Sequence, residues 1–454
     1  MVIGAGQAAA GIAVGFAKQG EKVALIEGDK LGGTCLNYGC RPTKTLRASA
    51  LAVHNARTAG DYGIKIGEIE VDFKAVMARM HSIIGGMQNS FWGYMDTVAG
   101  LDIHHGYGHF VGKNGTGYQV QVNDTVLEAE RIYINTGTRS VVPPIPGLND
   151  VQYLTNIELL NLEELPRHLI VIGGGYIGLE FGQIFRRLGS DVTVIEGGNQ
   201  LLGREDADIV TAMTDILQKE GLHILTEHRV MQVAQTGAEI SVTLEADGQQ
   251  KVIRGSHLLV ATGRRPNSDT LNLDAIGLAV DARGFIPTNG KFETALPNIW
   301  ALGDVNGRGA FTHTSYQDYE IFKANLNGED RTADDRLIGY AVFVDPPYGR
   351  VGMNEKEART SGKNVLMAVQ PMSGVSRARL ESRTDGLIKL LVDADTEQFL
   401  GASMLGMEAD EVIQVISYFM HTGASYKIMQ NALPVHPTVS EFFPTILGNL
   451  KPLV

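Results

Sequence analysis

Two stretches of this chain share one grammar. MVIGAGQAAAGIAVGFAKQGEKVALIEG, from Met1, and HLIVIGGGYIGLEFGQIFRRLGSDVTVIEG, from His168, each read as an apolar strand, a glycine turn, an amphipathic helix and a β-branched strand ending in Glu. Glu27 follows Gly6 at the same spacing at which Glu196 follows Gly175. That order constrains the fold to a βαβ unit, whose glycine turn lets backbone N–H groups approach a pyrophosphate at the helix N-terminus. Gly4 and Gly6 make the first turn, and Gly173 and Gly175 the second. A third small residue, Ala9 or Gly178, lets the helix pack on its strand, and Glu27 and Glu196 are placed to accept from a ribose 2′-OH. The chain therefore reads as α/β, with two Rossmann-like dinucleotide-binding domains.

At 454 residues there is room for about three domains of ~150 residues each. PPIPG at 143–147 reads as a connection between the two binding units. Three more strand-then-glycine stretches occur: RIYINTG, HLLVATG and NIWALGD. Past about residue 335 the texture changes to LIKLLVD, FLGASMLG and EVIQVISYFMHTG, which suggests a compact α+β unit. No apolar run approaches the ~20 residues of a membrane span. A net charge of −12 argues against nucleic acid as partner, because phosphate binding needs a basic face. The first residues show no basic n-region or cleavage site, so the cytoplasm is the expected compartment.

Both cysteines of the chain, Cys35 and Cys40, fall in GGTCLNYGCRPTK. Cytoplasmic cysteine pairs are seldom structural staples. A zinc site would want about four ligands and a second CxxC is missing, so no metal site is expected. The pair reads as redox-active.

GGTCLNYGCRPTK, GGGYIGLE, ALGD and HPTVSE, in that order and spacing, resemble the motifs of the pyridine nucleotide–disulfide oxidoreductases, the flavoprotein family of dihydrolipoamide dehydrogenase, glutathione reductase and mercuric reductase. The resemblance spans nearly the whole chain. It implies an FAD domain from 1–145 and 269–335, an NAD(P)H domain from 146–268 and a C-terminal dimerisation domain from 336–454. It implies that Cys40 faces the flavin and Cys35 meets the substrate. Five residues of regular helix rise ~7.5 Å, beyond most disulfides, so the segment between the cysteines is expected to be irregular at Asn37 and Gly39. Pro42 suits the first turn of a helix starting near Cys40, whose dipole favours a thiolate there.

By the same resemblance Lys44 pairs with Glu180 beside the flavin, and Asp304 bonds its ribityl chain. Gly33, Thr34, Gly108, Thr136, Gly137 and Gly263 match further cofactor contacts, and Tyr176 matches a residue covering the nicotinamide pocket in some relatives. His436 is the expected acid–base, oriented by Glu441 and reaching the disulfide across the two-fold axis of a homodimer. Glu196 predicts NAD(H) over NADP(H), although Arg186, Arg187 and Arg204 lie close in sequence. Arg41 departs from the apolar residue most relatives place after the second cysteine.

The implied activity is electron transfer between NAD(P)H and a dithiol/disulfide substrate. A metal-ion reductase of mercuric- or cupric-reductase type is the first rival. Mercuric reductase proper carries a C-terminal Cys pair and lacks the dyad histidine, whereas this chain ends GNLKPLV and keeps His436. A flavin-based redox sensor with little turnover is the second; it would need no His–Glu dyad.

Overall fold

The computed structural model describes residues 1–453 and divides into two compact units. Unit 1 comprises Met1–Thr45, Ala75–Val141 and Gly263–Arg336; unit 2 comprises Leu46–Lys74, Val142–Thr262 and Leu337–Val454.

Unit 1 is built on a five-stranded parallel sheet in the order Ile299–Ala301, Ile132–Ile134, Val2–Ile3, Val23–Glu27, Leu101–His105. All-parallel strands need crossovers. Helix Gln7–Lys18 supplies the first, and its alanine-rich face is buried with Phe16 against Tyr133 and Phe322. Helix Thr312–Leu326 packs so closely that a Cβ on Gly11 would meet the Tyr319 ring at 2.6 Å. A three-stranded antiparallel sheet, Gly108–Asn114, Gly117–Val122 and Thr125–Ala129, adds Phe110 and Val120 to a second core. Arg264–Pro266 pairs antiparallel with Thr138–Ser140, stitching the unit's later segment to its earlier one.

Unit 2 repeats the plan. Its parallel sheet runs His223–Leu225, Asp191–Ile195, His168–Ile172, His257–Val260, Tyr153–Leu154. Helix Tyr176–Leu188 crosses over from the glycine turn, and an antiparallel set of three strands spans Arg229–Gly255. The remainder is a six-stranded antiparallel sheet in the order Gly339–Val342, Tyr348–Gly352, Phe399–Leu405, Leu387–Asp393, Val365–Pro371, Lys451–Pro452, covered by helix Ala409–His421. No helix among the described residues is long and apolar enough to cross a membrane.

Candidate functional site

The two glycine turns are built alike. Gly6 and Gly175 cap helices Gln7–Lys18 and Tyr176–Leu188, and neither helix has a side-chain cap. A capless N-terminus leaves first-turn N–H groups for an anion. Each strand-end glutamate clamps its own turn. Glu27 accepts the Ala5 N–H at 2.8 Å and the Asp29 N–H at 2.9 Å, and Glu196 accepts those of Gly174 at 2.8 Å and Gly198 at 2.7 Å. Burial pushes the Glu27 carboxyl up, opposed by the Asp29 and Ala5 bonds.

Close approach explains the small residues. A Cβ on Gly178 would stand 2.2 Å from the Gly173 carbonyl oxygen, and one on Gly4 2.4 Å from that of Asn135. Ala9 is fully buried, its N–H donated to Asn135 Oδ1 at 3.3 Å, while Asn135 Nδ2 donates to the Leu302 carbonyl at 2.7 Å. Asn135 thus braces the first turn against the strand leading to Asp304. Asp304 accepts from Thr138 Oγ1 at 3.0 Å; burial raises its carboxyl, against the pull of Arg264.

These features fit a dinucleotide in each unit. In unit 1 the Thr136 hydroxyl is buried with no hydrogen-bond partner among the described residues, and side chains at Gly137 or Gly263 would project into open space. Gly33 lies against Gly6, where a Cβ would be 2.9 Å from its Cα; Thr34 is next in line, and Gly108 opens its strand 3.1 Å from Ile26 by the same measure. In unit 2 a Cβ on Gly175 would likewise meet nothing. Tyr176 is the first residue of its helix and 38% exposed.

Cys35 sits in the short helix Gly33–Asn37, and Cys40 is the first residue of helix Cys40–Arg57. The irregular break expected between them falls at Tyr38, with φ −141° and ψ 9°, and at Gly39 as expected, but not at Asn37. Asn37 is helical and buried because its Nδ2 serves three carbonyls, of Lys30, Leu31 and Gly33, at 2.9–3.2 Å. Both cysteines are free thiols, hydrogen-bonded to each other. The bond to Cys40 and then burial push the Cys35 thiol far up, while Thr312 and the Arg41 guanidinium act to lower it. Thr312 Oγ1 lies 3.2 Å from Cys40 Sγ. Cys35 is thereby held in its protonated form, and its partner Cys40 stands exposed at a helix N-terminus beside the Thr312 hydroxyl.

Residues 1–318 match the family described as pyridine nucleotide-disulphide oxidoreductase, and residues 338–446 match its dimerisation domain. The chain belongs to this family. It is similar to the probable pyridine nucleotide-disulfide oxidoreductase RclA of Escherichia coli (36% identity, covering 99% of each chain) and to the mercuric reductase of Staphylococcus aureus (33%, covering 97% of this chain and 80% of that one). The solved Cu(II) complex of the HOCl-induced flavoprotein disulfide reductase RclA from Escherichia coli superposes with a TM-score of 0.88 at 35% identity, covering 99% of this chain and 98% of that one. The chain is thus a flavoprotein oxidoreductase acting on sulfur groups, with FAD and a pyridine nucleotide as cofactors and a dimerisation domain that makes it a homodimer.

This oxidoreductase carries its remaining expected residues as follows. His436 Nδ1 is 2.8 Å from Glu441 Oε2; the imidazole is 77% exposed and the carboxylate 11%. Lys44 lies one turn past Cys40 in unit 1, while Glu180, in unit 2, is buried and accepts the Phe343 N–H at 2.8 Å. Thr312 is not singled out by sequence, where the hydroxyl at the start of the helix after ALGD is the available signal; Asn135 falls in NTG, which matches backbone contacts to FAD, but its side-chain brace is not legible there. Among the described residues no group of three or more His, Cys, Asp and Glu could hold a metal ion.

Proposed function

We propose that this enzyme passes two electrons from NADH through Cys35 and Cys40 to a disulfide acceptor, in two active sites each shared between both chains of the dimer. The Cys35–Cys40–Thr312 cluster carries the reading, because burial and its neighbour keep Cys35 protonated while Cys40 stands exposed at a helix N-terminus, which favours a thiolate. FAD, when bound, supplies the hydride relay between the nicotinamide and the thiol pair. Gly4, Gly6, Ala9, Glu27, Gly33, Thr34, Gly108, Thr136, Gly137, Gly263 and Asp304 would hold it, with Lys44 paired to Glu180. Gly173, Gly175, Tyr176, Gly178 and Glu196 would hold the nicotinamide nucleotide. The domain division is 1–145 with 269–335, 146–268, and 336–454, whose last residue lies outside the described residues.

Cys35, held protonated by its neighbour and by burial, needs an external base. His436 of the other chain takes that proton, kept in one tautomer by Glu441. Cys35 then attacks the acceptor disulfide, forming a mixed disulfide and releasing a thiolate that His436 protonates. Cys40 displaces the second thiolate, which is protonated from solvent, and the Cys35–Cys40 bond re-forms. Leu433 and Val435, on the approach to His436, are 98% and 75% exposed, which supports a partner chain seated there.

NADH preference is supported by where two of the three nearby cations go, while Arg204 stays exposed on the loop after Glu196. Arg186 donates to the Glu220 and Ser190 carbonyls and pairs with Asp191, and Arg187 is buried between Glu220 and Asp345. Neither is free to meet a 2′-phosphate. A second reading, Cu(II) reduction by the same thiols, is favoured by the Cu(II) complex of the Escherichia coli relative. A cytoplasmic location completes the proposal.

The test is anaerobic reduction by NADH, then stopped-flow reoxidation by lipoamide, glutathione disulfide, Hg(II) and Cu(II). Fast reoxidation by a disulfide supports the first reading, and fast reoxidation by Cu(II) alone the second. No reoxidation by any of the four overturns both and leaves a redox sensor.

A further inference from the structure

A lysine in the antiparallel sheet of unit 2 is buried where no thiol or flavin chemistry has been assigned. Lys389, on strand Leu387–Asp393, has a side chain only 1% exposed. Its Nζ meets Asp206 Oδ2 at 3.0 Å, Asp208 Oδ1 at 2.8 Å and Glu355 Oε2 at 2.8 Å. An ammonium has three donors, and all three are used on carboxylates. Asp206 also accepts the Glu355 N–H at 3.0 Å, and Asn354 Nδ2 donates to the Arg204 carbonyl at 2.8 Å. Next in the chain, Glu205 takes hydrogen bonds from the Tyr340 and Tyr348 hydroxyls, with Arg350 Nε at 3.5 Å.

Glu205 and Asp206 end the loop that leaves Glu196, and Asp208 lies in the first turn of the helix Ala207–Lys219 that follows. The loop's near end is built into the glycine turn: Glu196 holds the Gly174 and Gly198 N–H groups, and the Leu202 N–H donates to the Gly174 carbonyl at 3.0 Å. Leu201 is fully buried against Gly174, where a Cβ would meet its Cδ2 at 2.7 Å. Inside the loop, Glu205 N–H donates to the Leu202 carbonyl at 2.7 Å, and Gln200 Nε2 to the Glu205 carbonyl at 3.0 Å. One unbroken set of contacts runs from Lys389 to the turn.

We propose that Lys389 is a positioning residue for the nicotinamide nucleotide: by gathering Asp206, Asp208 and Glu355 it pins the far end of the 197–206 loop and so holds Gly174 and Glu196 in their binding geometry. The inference rests on the reading that this second glycine turn binds NADH. Without the ammonium, three carboxylates are left facing one another, and like charges this close separate or take up water. The loop's far end then loses its central tie and is left to the Glu205 and Asn354 contacts, so its geometry loosens on the nucleotide side.

The test is Lys389→Met in the FAD-loaded dimer, read by calorimetric binding of ADP-ribose, which reports the turn without any electron transfer. Weakening of about tenfold is expected, the upper part of the range for coupling through a packed network, with KM for NADH raised alike. kcat at saturating NADH should stay within about twofold, and the thiolate–flavin absorbance of chemically reduced enzyme should be unchanged, a split that general destabilisation does not produce. ADP-ribose affinity within twofold of wild type overturns the proposal. Should Lys389→Met fail to accumulate as loaded dimer, Glu205→Gln releases the same loop from its other anchor, with the same expected and overturning results. Glu196→Ala separates the two levels: if it leaves ADP-ribose binding intact, the nucleotide reading itself falls, and if it weakens binding while the loop variants do not, only the role of Lys389 falls.

Discussion

Replacing Thr312 by valine keeps the shape of the side chain and removes the hydroxyl that faces both thiols. In the structure that hydroxyl is 3.2 Å from Cys40 Sγ and also lowers the Cys35 thiol. A hydrogen bond to a charged group contributes about 1.5–3 kcal/mol. Cys40 is exposed, so water replaces part of what is lost, and the lower end is the relevant one. At ~1.36 kcal/mol per pH unit, the Cys40 thiol should rise by roughly one unit. The sign follows from which form is bonded: the hydroxyl donates to the thiolate, so its removal favours the protonated thiol. The assay is a pH titration of the long-wavelength thiolate–flavin absorbance in the two-electron-reduced enzyme, whose midpoint should move to higher pH by about one unit. Thr312→Ser should restore it. An unchanged midpoint in Thr312→Val would refute the reasoning, because the hydroxyl would then be a spectator and the helix N-terminus alone would hold the thiolate.

kcat/KM should favour NADH over NADPH, and Glu196→Ala should narrow the ratio; a wild-type ratio at or below one removes the argument from Glu196. Arg41→Ile should slow disulfide reduction at neutral pH by about 1.4-fold to fivefold, from the ~0.2–1 kcal/mol of an exposed charge interaction, and shift the rate profile to higher pH; an unmoved profile leaves Arg41 as a surface cation held by Met87, whose sulfur is 3.6 Å from its Nη1. Co-expression of Cys40→Ser with His436→Ala should recover roughly a quarter of wild-type activity, since random assembly makes half the dimers mixed and each mixed dimer has one intact site. No recovery would mean that the site is built within one chain.

What the chain discloses before folding is what short range decides. The turn glycines, Ala9, Gly178 and the two glutamates are legible because one βαβ unit contains all the geometry that selects them. The Cys40 helix start is legible for the same reason, with Pro42 two residues inside it. Thr312 is not legible: it reaches Cys40 from 272 positions away, and only the docking of helix Thr312–Leu326 brings it there. Asn135 braces Ala9 across 126 positions, and Asn37 turns from turn-former to buried brace because Lys30, Leu31 and Gly33 present carbonyls to it. A short polar residue is open to many local roles, and tertiary contacts choose among them.

The clamp at Glu196 has a consequence for how readily this enzyme could be retargeted between its two possible reductants. Both carboxylate oxygens already accept a backbone N–H, from Gly174 and from Gly198, so the acid that would discriminate between nucleotides is also the latch of the turn. An amide at this position offers one acceptor oxygen where two are used, and alanine offers none. Swapping the acid for a neutral or basic residue therefore weakens the grip on either nucleotide before it favours the phosphorylated one, and the narrowed ratio in Glu196→Ala should come from lost NADH binding. A lineage moving to NADPH would keep Glu196 and turn a cation elsewhere on the 197–206 loop, where Arg204 already stands exposed, toward the phosphate.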